Sequence, residues 1–311
     1  MEKSKLYEFL KSKPIAESSL KLYLNNLRRL NDGVFPTNFN FLKNIDNILE
    51  KLNQYKPNTR RSYLISIITT LKHDFPKQKK LYDKYYEHLD KYNKEGAVNN
   101  EKSATQKHNW IEQSEVNDIY TKITAEVQTL LLKKKLNPAE YEQLLAWLVL
   151  SLYTLLKPRR NADYQKCVIV KKMPTEINPD YNYLDLDTQS WKFNNYKTKG
   201  TYKMQEMPVG EDMLKVIHSF LKFHPSKAHF KNKNQIIPLL VDYEGNLFKS
   251  PNAITRILNK IFDKKIGVSM LRNIFLTDKY SDQMKEMKED ASAMGTSTGV
   301  IQNQYVKNGD E

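Results

Sequence analysis

The chain has 311 residues and a single cysteine, Cys167. That excludes a disulfide framework and a thiolate-rich zinc site. Its nine glycines form neither a Walker-type loop nor a dinucleotide fingerprint, both of which need glycines at fixed spacing so that backbone can approach phosphate. Its six histidines are His73, His88, His108, His218, His224 and His229, and no two share the helical spacing of a zinc site. No apolar run approaches the roughly 20 residues of a membrane-spanning helix. The opening MEKSKLYEFLKSKP lacks the apolar stretch of a signal peptide. These absences predict an intracellular protein that uses no cofactor, no metal and no membrane.

What the chain has in quantity is positive charge. Fifty Lys and Arg face 36 Asp and Glu, a net charge of +14 with pI near 9.4. Residues 1–107 hold 21 basic and 12 acidic residues, and the rest 29 and 24. An excess of this size favours an anionic partner, with nucleic acid first and an acidic surface second. A lysine-rich solvated surface is the plain alternative.

The hydrophobic pattern divides the chain. Leu6, Phe9 and Leu10 share one amphipathic face. Pro14 interrupts, and a second helix opens at Glu17-Ser18-Ser19 and stops at Asn31-Asp32-Gly33. Phe39 to Asn53 is a third helix candidate, Pro57 opens a fourth and 78–92 forms a fifth. Arg60 and Arg61 lie in the first turn of the Pro57 helix, where the dipole favours a phosphate. Residues 93–107 are polar and predict an exposed linker between a helical domain (1–92) and a second domain (108–311). In the second domain, helices are expected at 114–134 and 138–156. Tyr183–Asp187 and Trp191–Phe193 alternate as strands around the turn Asp187–Ser190. Lys199-Gly200 marks another turn before Tyr202–Val209. Helices follow at 211–223, 251–262, 267–280 and 281–291. The fold class expected is mainly α with a small antiparallel β-sheet.

Four segments of the second domain fall in a suggestive order. The first is Thr154-Leu155-Leu156-Lys157-Pro158-Arg159-Arg160-Asn161-Ala162-Asp163. The second is Tyr196-Lys197-Thr198-Lys199-Gly200. The third is Ser269-Met270-Leu271-Arg272-Asn273-Ile274-Phe275-Leu276-Thr277. The fourth is Met294-Gly295-Thr296-Ser297, with Tyr305 nine residues after Thr296. This order resembles the tyrosine recombinase (phage-integrase-type) family, and the form of the first box is most like recombinases of large DNA viruses and virophages. The resemblance implies an N-terminal core-binding domain and an α+β catalytic domain. It also implies DNA cleavage and rejoining through a 3′-phosphotyrosine, without ATP.

The resemblance assigns roles residue by residue. Tyr305 would be the nucleophile, and Arg160 and Arg272 would clamp the phosphate, since a planar guanidinium stays charged and binds two oxygens at once. Lys197, or Lys199 in its place, would protonate the leaving oxygen. Arg159, Lys199, Arg60 and Arg61 would contact DNA. The sequence departs from the family at both histidines. Ser269 and Thr296 stand in their places, and each can donate a hydrogen bond but not act as a base at neutral pH.

The residues leave several readings open. Arg159 and Arg160 compete for the clamp position, and Arg272 could instead pair with Asp278 or Asp282. A type IB topoisomerase would use the same residue types, and a recombinase-derived binder without cleavage would explain the missing histidines. The resemblance further implies double-stranded DNA as partner, a monomer in solution and a tetramer on DNA.

Overall fold

A computed structural model describes residues 5–13, 15–72, 77–97, 101–231 and 235–307. Pro14, His73 and the residues after Lys307 lie outside them. The chain forms two compact units, Met1–Glu101 and Lys102–Glu311.

The first unit is helical: α1 (Lys5–Ser12), α2 (Glu17–Leu30), α3 (Ile45–Asn53), α4 (Pro57–Leu71) and α5 (Lys79–Ala97). Phe39–Asn53 is not one helix. A short 3-10 turn, Asn40–Leu42, precedes α3, because the Asn44 side chain accepts from Asn47 N and starts a new helix there. Helix α4 is central and packs against α2, α3 and α5. Buried Asn26 of α2 donates to Ser66 Oγ (3.0 Å), pinning α2 to α4. Tyr85 of α5 donates to Leu42 O (2.8 Å) from a fully buried position.

The expected linker is helical at both ends. Helix α5 runs on to Ala97, and a capping box between Ser103 and Gln106 starts α6 (Ala104–Asn109). The polar composition of 93–107 was compatible with solvent-facing helix as well as with loop.

The second unit is built around α8 (Pro138–Thr154), opened by the Asn137/Glu140 capping box with Pro138 at its first turn. From Leu144 on it is nearly all apolar, with Leu144, Leu148, Val149, Leu150 and Leu152 fully buried, the signature of a core helix. It packs against α7 (Gln113–Leu131), α11 (Glu211–Leu221) and α12 (Ala253–Phe262). Short α9 (Asn161–Gln165) leads into the strands β1 (Cys167–Val170), β2 (Asn182–Asp185) and β3 (Ser190–Phe193). A helical turn, α10 (Lys199–Tyr202), precedes β4 (Gln205–Pro208), and β5 (Ile237–Pro238) comes later.

The sheet order is β4-β3-β2-β1-β5. It is mixed, not antiparallel as expected: β1 and β2 run parallel, pairing Cys167 with Asn182 through Val170 with Asp185. The other pairs are antiparallel. Residues 171–181 carry the chain back across, as a parallel pair requires. The expected break near 280 is also absent. Helix α13 runs unbroken over 26 residues, Val268–Ala293, since Ser281-Asp282 has no glycine or proline to end the ladder. The chain closes with α14 (Thr298–Val300) and a π-turn at Ile301–Tyr305. No helix of the described residues is long and apolar enough to cross a membrane.

Candidate functional site

The adjacent arginines of the first box have opposite fates. Arg159 turns inward. Its Nε donates to Asp163 Oδ2 (3.0 Å), its Nη1 to Gln205 Oε1 (3.0 Å), and its guanidinium lies 3.7 Å from the Phe193 ring centroid. Asp163 is buried, and burial pushes its carboxyl above the ordinary carboxylate range, partly offset by Arg159. These contacts spend Arg159 on the fold. Arg160, the N-cap residue of α9, is half-buried and among the described residues its side chain forms no hydrogen bond or ion pair.

Arg160 opens onto a cleft of about 610 Å³, which Arg272, Ser269 and Lys265 also line. Two local features bring these segments together. Asn161 Nδ2 donates to Thr255 Oγ1 (3.0 Å), and Gln165 Nε2 donates to Ser250 O (2.9 Å), sewing α9 to the start of α12. Gly267, the N-cap of α13, sits so close to α12 that a Cβ there would meet Thr255 Cγ2 at 3.1 Å. The first turn of α13 is therefore held against α12, with Ser269 and Arg272 facing the cleft.

The electrostatics of the cleft are one-sided. Its lining includes three cations, Arg160, Arg272 and Lys265, and no carboxylate. Among the described residues none of the three has a hydrogen-bond or ion-pair partner for its side chain. In particular, Arg272 pairs with neither Asp278 nor Asp282. Gly267, Val268 and Ser269 line the same space, so the positive end of α13 adds to the field. A cleft lined by cations and free of carboxylates in its lining suits an anion with several oxygens.

The remaining predicted residues lie elsewhere. Lys197 is exposed in the β3–β4 connection, without a partner among the described residues, and Lys199 donates to Asn194 Oδ1 (2.8 Å). Thr296 uses its N–H to close α13, donating to Ala291 O (2.9 Å). Tyr305 is 57% exposed at the end of the π-turn. None of Lys197, Thr296 and Tyr305 lines the cleft. In the first unit, Arg60 donates to Tyr55 O (2.6 Å) and Asn53 O (2.7 Å), capping the end of α3. Arg61 donates to Asn93 Oδ1 (2.6 Å) on an exposed face.

Three residues escaped the sequence reading. Lys265 and Gln106 line the cleft, yet each sits in a polar stretch with nothing local to single it out. Asn182, fully buried, makes four hydrogen bonds. It accepts from Asn194 N (2.7 Å) and Asn195 N (2.6 Å), and donates to Asp163 O (2.8 Å) and Asn195 O (2.9 Å). One side chain thus ties the first box to the loop that carries Lys197. Among the described residues, no three His, Cys, Asp or Glu gather where a metal could sit. Cys167 is buried in β1, and burial pushes its thiol pKa far up, which makes it inert.

Compared with protein families, curated proteins and solved structures, the chain matches none of them.

Proposed function

We propose that the protein is a tyrosine-recombinase-type DNA strand transferase, acting on double-stranded DNA as an integrase does. The observation that carries this reading is the cleft, which Arg160 and Arg272 line from separate elements, without a hydrogen-bond or ion-pair partner among the described residues and with no carboxylate in the lining. Their positions in the first and third boxes are those the family resemblance assigns to the phosphate clamp. The buried engagement of Arg159 favours Arg160 for this role, and the tie of Lys199 to Asn194 favours Lys197 as the mobile acid.

The chemistry follows from where charge develops. Tyr305 Oη forms a bond to phosphorus, its proton passing to water, and the bond from phosphorus to the 5′-oxygen breaks. Lys197 delivers a proton to that leaving oxygen. The arginines and the Ser269 hydroxyl meet the negative charge that builds on the non-bridging oxygens. The tyrosyl ester retains the phosphoryl group, so attack by another 5′-hydroxyl reverses the step without ATP. Tyr305 and Lys197 must be brought to the cleft for this to occur, a rearrangement that DNA binding would drive. Exchange between two duplexes calls for four protomers on DNA, from a monomer in solution.

One observation favours a second reading, a DNA-binding protein that does not cleave: Tyr305 and Thr296 stand outside the cleft. A covalent trap separates the two. The protein is incubated with labelled nicked and intact duplex fragments, denatured in detergent, and scored for protein-linked DNA. Adducts in the native chain that vanish in Tyr305→Phe are expected. DNA retention without any adduct would establish the non-cleaving reading. Relaxation of any supercoiled plasmid at low protein would point to a type IB topoisomerase instead.

A further inference from the structure

We infer that Lys265, assisted by Gln106, forms a second phosphate subsite in the cleft, which holds the backbone phosphate next to the one clamped by Arg160 and Arg272. The inference rests on the DNA reading above. It begins with size. A cleft of about 610 Å³ is larger than one phosphate group. Two arginines suffice for one phosphate, and the third unpaired cation then has no anion unless the ligand carries a second.

The loop that presents Lys265 is held as firmly as the arginine walls. Asp263 ends α12 in a left-handed conformation (φ 48°), Ile266 is fully buried, and Ile266 N donates to Lys264 O (2.8 Å). Lys265 N itself donates to Oδ1 of the buried Asn109 (2.9 Å). That bond also fixes α6, which brings Gln106 to the same cleft. Gln106 spends Oε1 on Ser103 N in the capping box, so its Nε2 remains to donate to an anion. The neighbouring Lys264 is also exposed yet does not line the cleft. The two lysines are therefore matched in charge and sequence position and differ in what they face.

That pair supplies the experiment. Binding of a mixed-sequence duplex is measured over a range of KCl for the native chain, Lys265→Gln, Lys264→Gln and Arg272→Gln. Each phosphate contact adds about 0.9 to the slope of log affinity against log salt. Lys265→Gln should lose about 0.9 of slope, so that a tenfold rise in salt costs it about eightfold less affinity than it costs the native chain. Arg272→Gln leaves Arg160 on the same phosphate, so it should weaken binding with a smaller loss of slope, and Lys264→Gln should change almost nothing. Both positions 264 and 265 are exposed, so the variants should fold. Equal slopes for the two lysine variants, with Arg272→Gln still reduced, would overturn the subsite and leave the DNA reading standing. No duplex binding by the native chain, or no change in Arg272→Gln, would overturn the DNA reading at this cleft and the subsite with it.

Discussion

The elements that carry Arg160 and Arg272 are pinned to one another. Asn161 bonds to Thr255, Gln165 to the Ser250 carbonyl, Gly267 packs on Thr255, and Asn109 holds the Lys265 backbone. After Ala293 the anchoring changes character. Met294 N and Thr296 N bond back to α13, Gly295 takes a positive φ of 67°, and Ser297 caps α14. All of these are local. Ile301 is the one buried residue of the last two elements, and Tyr305 and Val306 are more than half exposed. On the proposed strand-transfer reading, the contrast would separate two tasks of the site. Groups that bind charge are most effective when preorganised. A nucleophile can instead arrive with the substrate, because its delivery is a population shift driven by binding.

The sharpest way to break the comparison is to loosen the pinned region. Asn182→Ala removes the partners of Asn194 N, Asn195 N and Asp163 O, and stranded buried groups cost roughly 1–3 kcal/mol each. A loss of about 4 kcal/mol in unfolding free energy is therefore expected, read by denaturant titration; a loss below about 1 kcal/mol would show that water replaces the side chain there.

Acid offers a milder probe of the same unit. His224 is fully buried, with Nδ1 accepting from Ser226 N and Nε2 donating to Pro238 O (both 3.0 Å). Burial lowers its pKa to about 4 from the ordinary 6.5. Below about pH 6.5 the unfolded chain takes up the proton first. The His224 contribution is thus intact above pH 6.5, falls as pH drops toward 4, and reaches a loss of about 3 kcal/mol at 1.36 kcal/mol per unit. Stability measured at pH 7 and pH 4.5 should show this slope in the native chain and a flatter one in His224→Gln. An unchanged slope in the variant would assign the acid sensitivity to other groups.

The smallest effect belongs to the tail. Tyr305→Phe removes a hydroxyl that has no partner among the described residues from an exposed side chain, and unfolding should shift by no more than about 0.5 kcal/mol. A larger shift would mean that the segment is docked more tightly than its exposure indicates, and would soften the contrast with the cleft.

Much of the fold could be read locally. The start of α8 at Asn137-Pro138, the opening of α4 at Pro57, the stop after Leu30 and the turn at Asp187–Ser190 all stand where the residues place them. These signals are local because capping and turn geometry involve residues three or four apart. The candidate site was legible only in part. Arg160, Arg272 and Ser269 come together in one cleft, while Lys197, Thr296 and Tyr305 do not line it.

By itself, the sequence determined several helix starts, such as those of α2, α4 and α8, together with the basic balance, the absence of metal-type spacing and the order of the four boxes. Tertiary structure decided the rest. It turned Arg159 inward, because Asp163 lies one helical turn on while Phe193 and Gln205 arrive from distant strands. It set β1 parallel to β2, a pairing that no local pattern encodes. It also placed Lys265 in the cleft and Lys264 outside it. Each of these depends on contacts between residues far apart in the chain, and hydrophobic period and capping chemistry do not report such contacts.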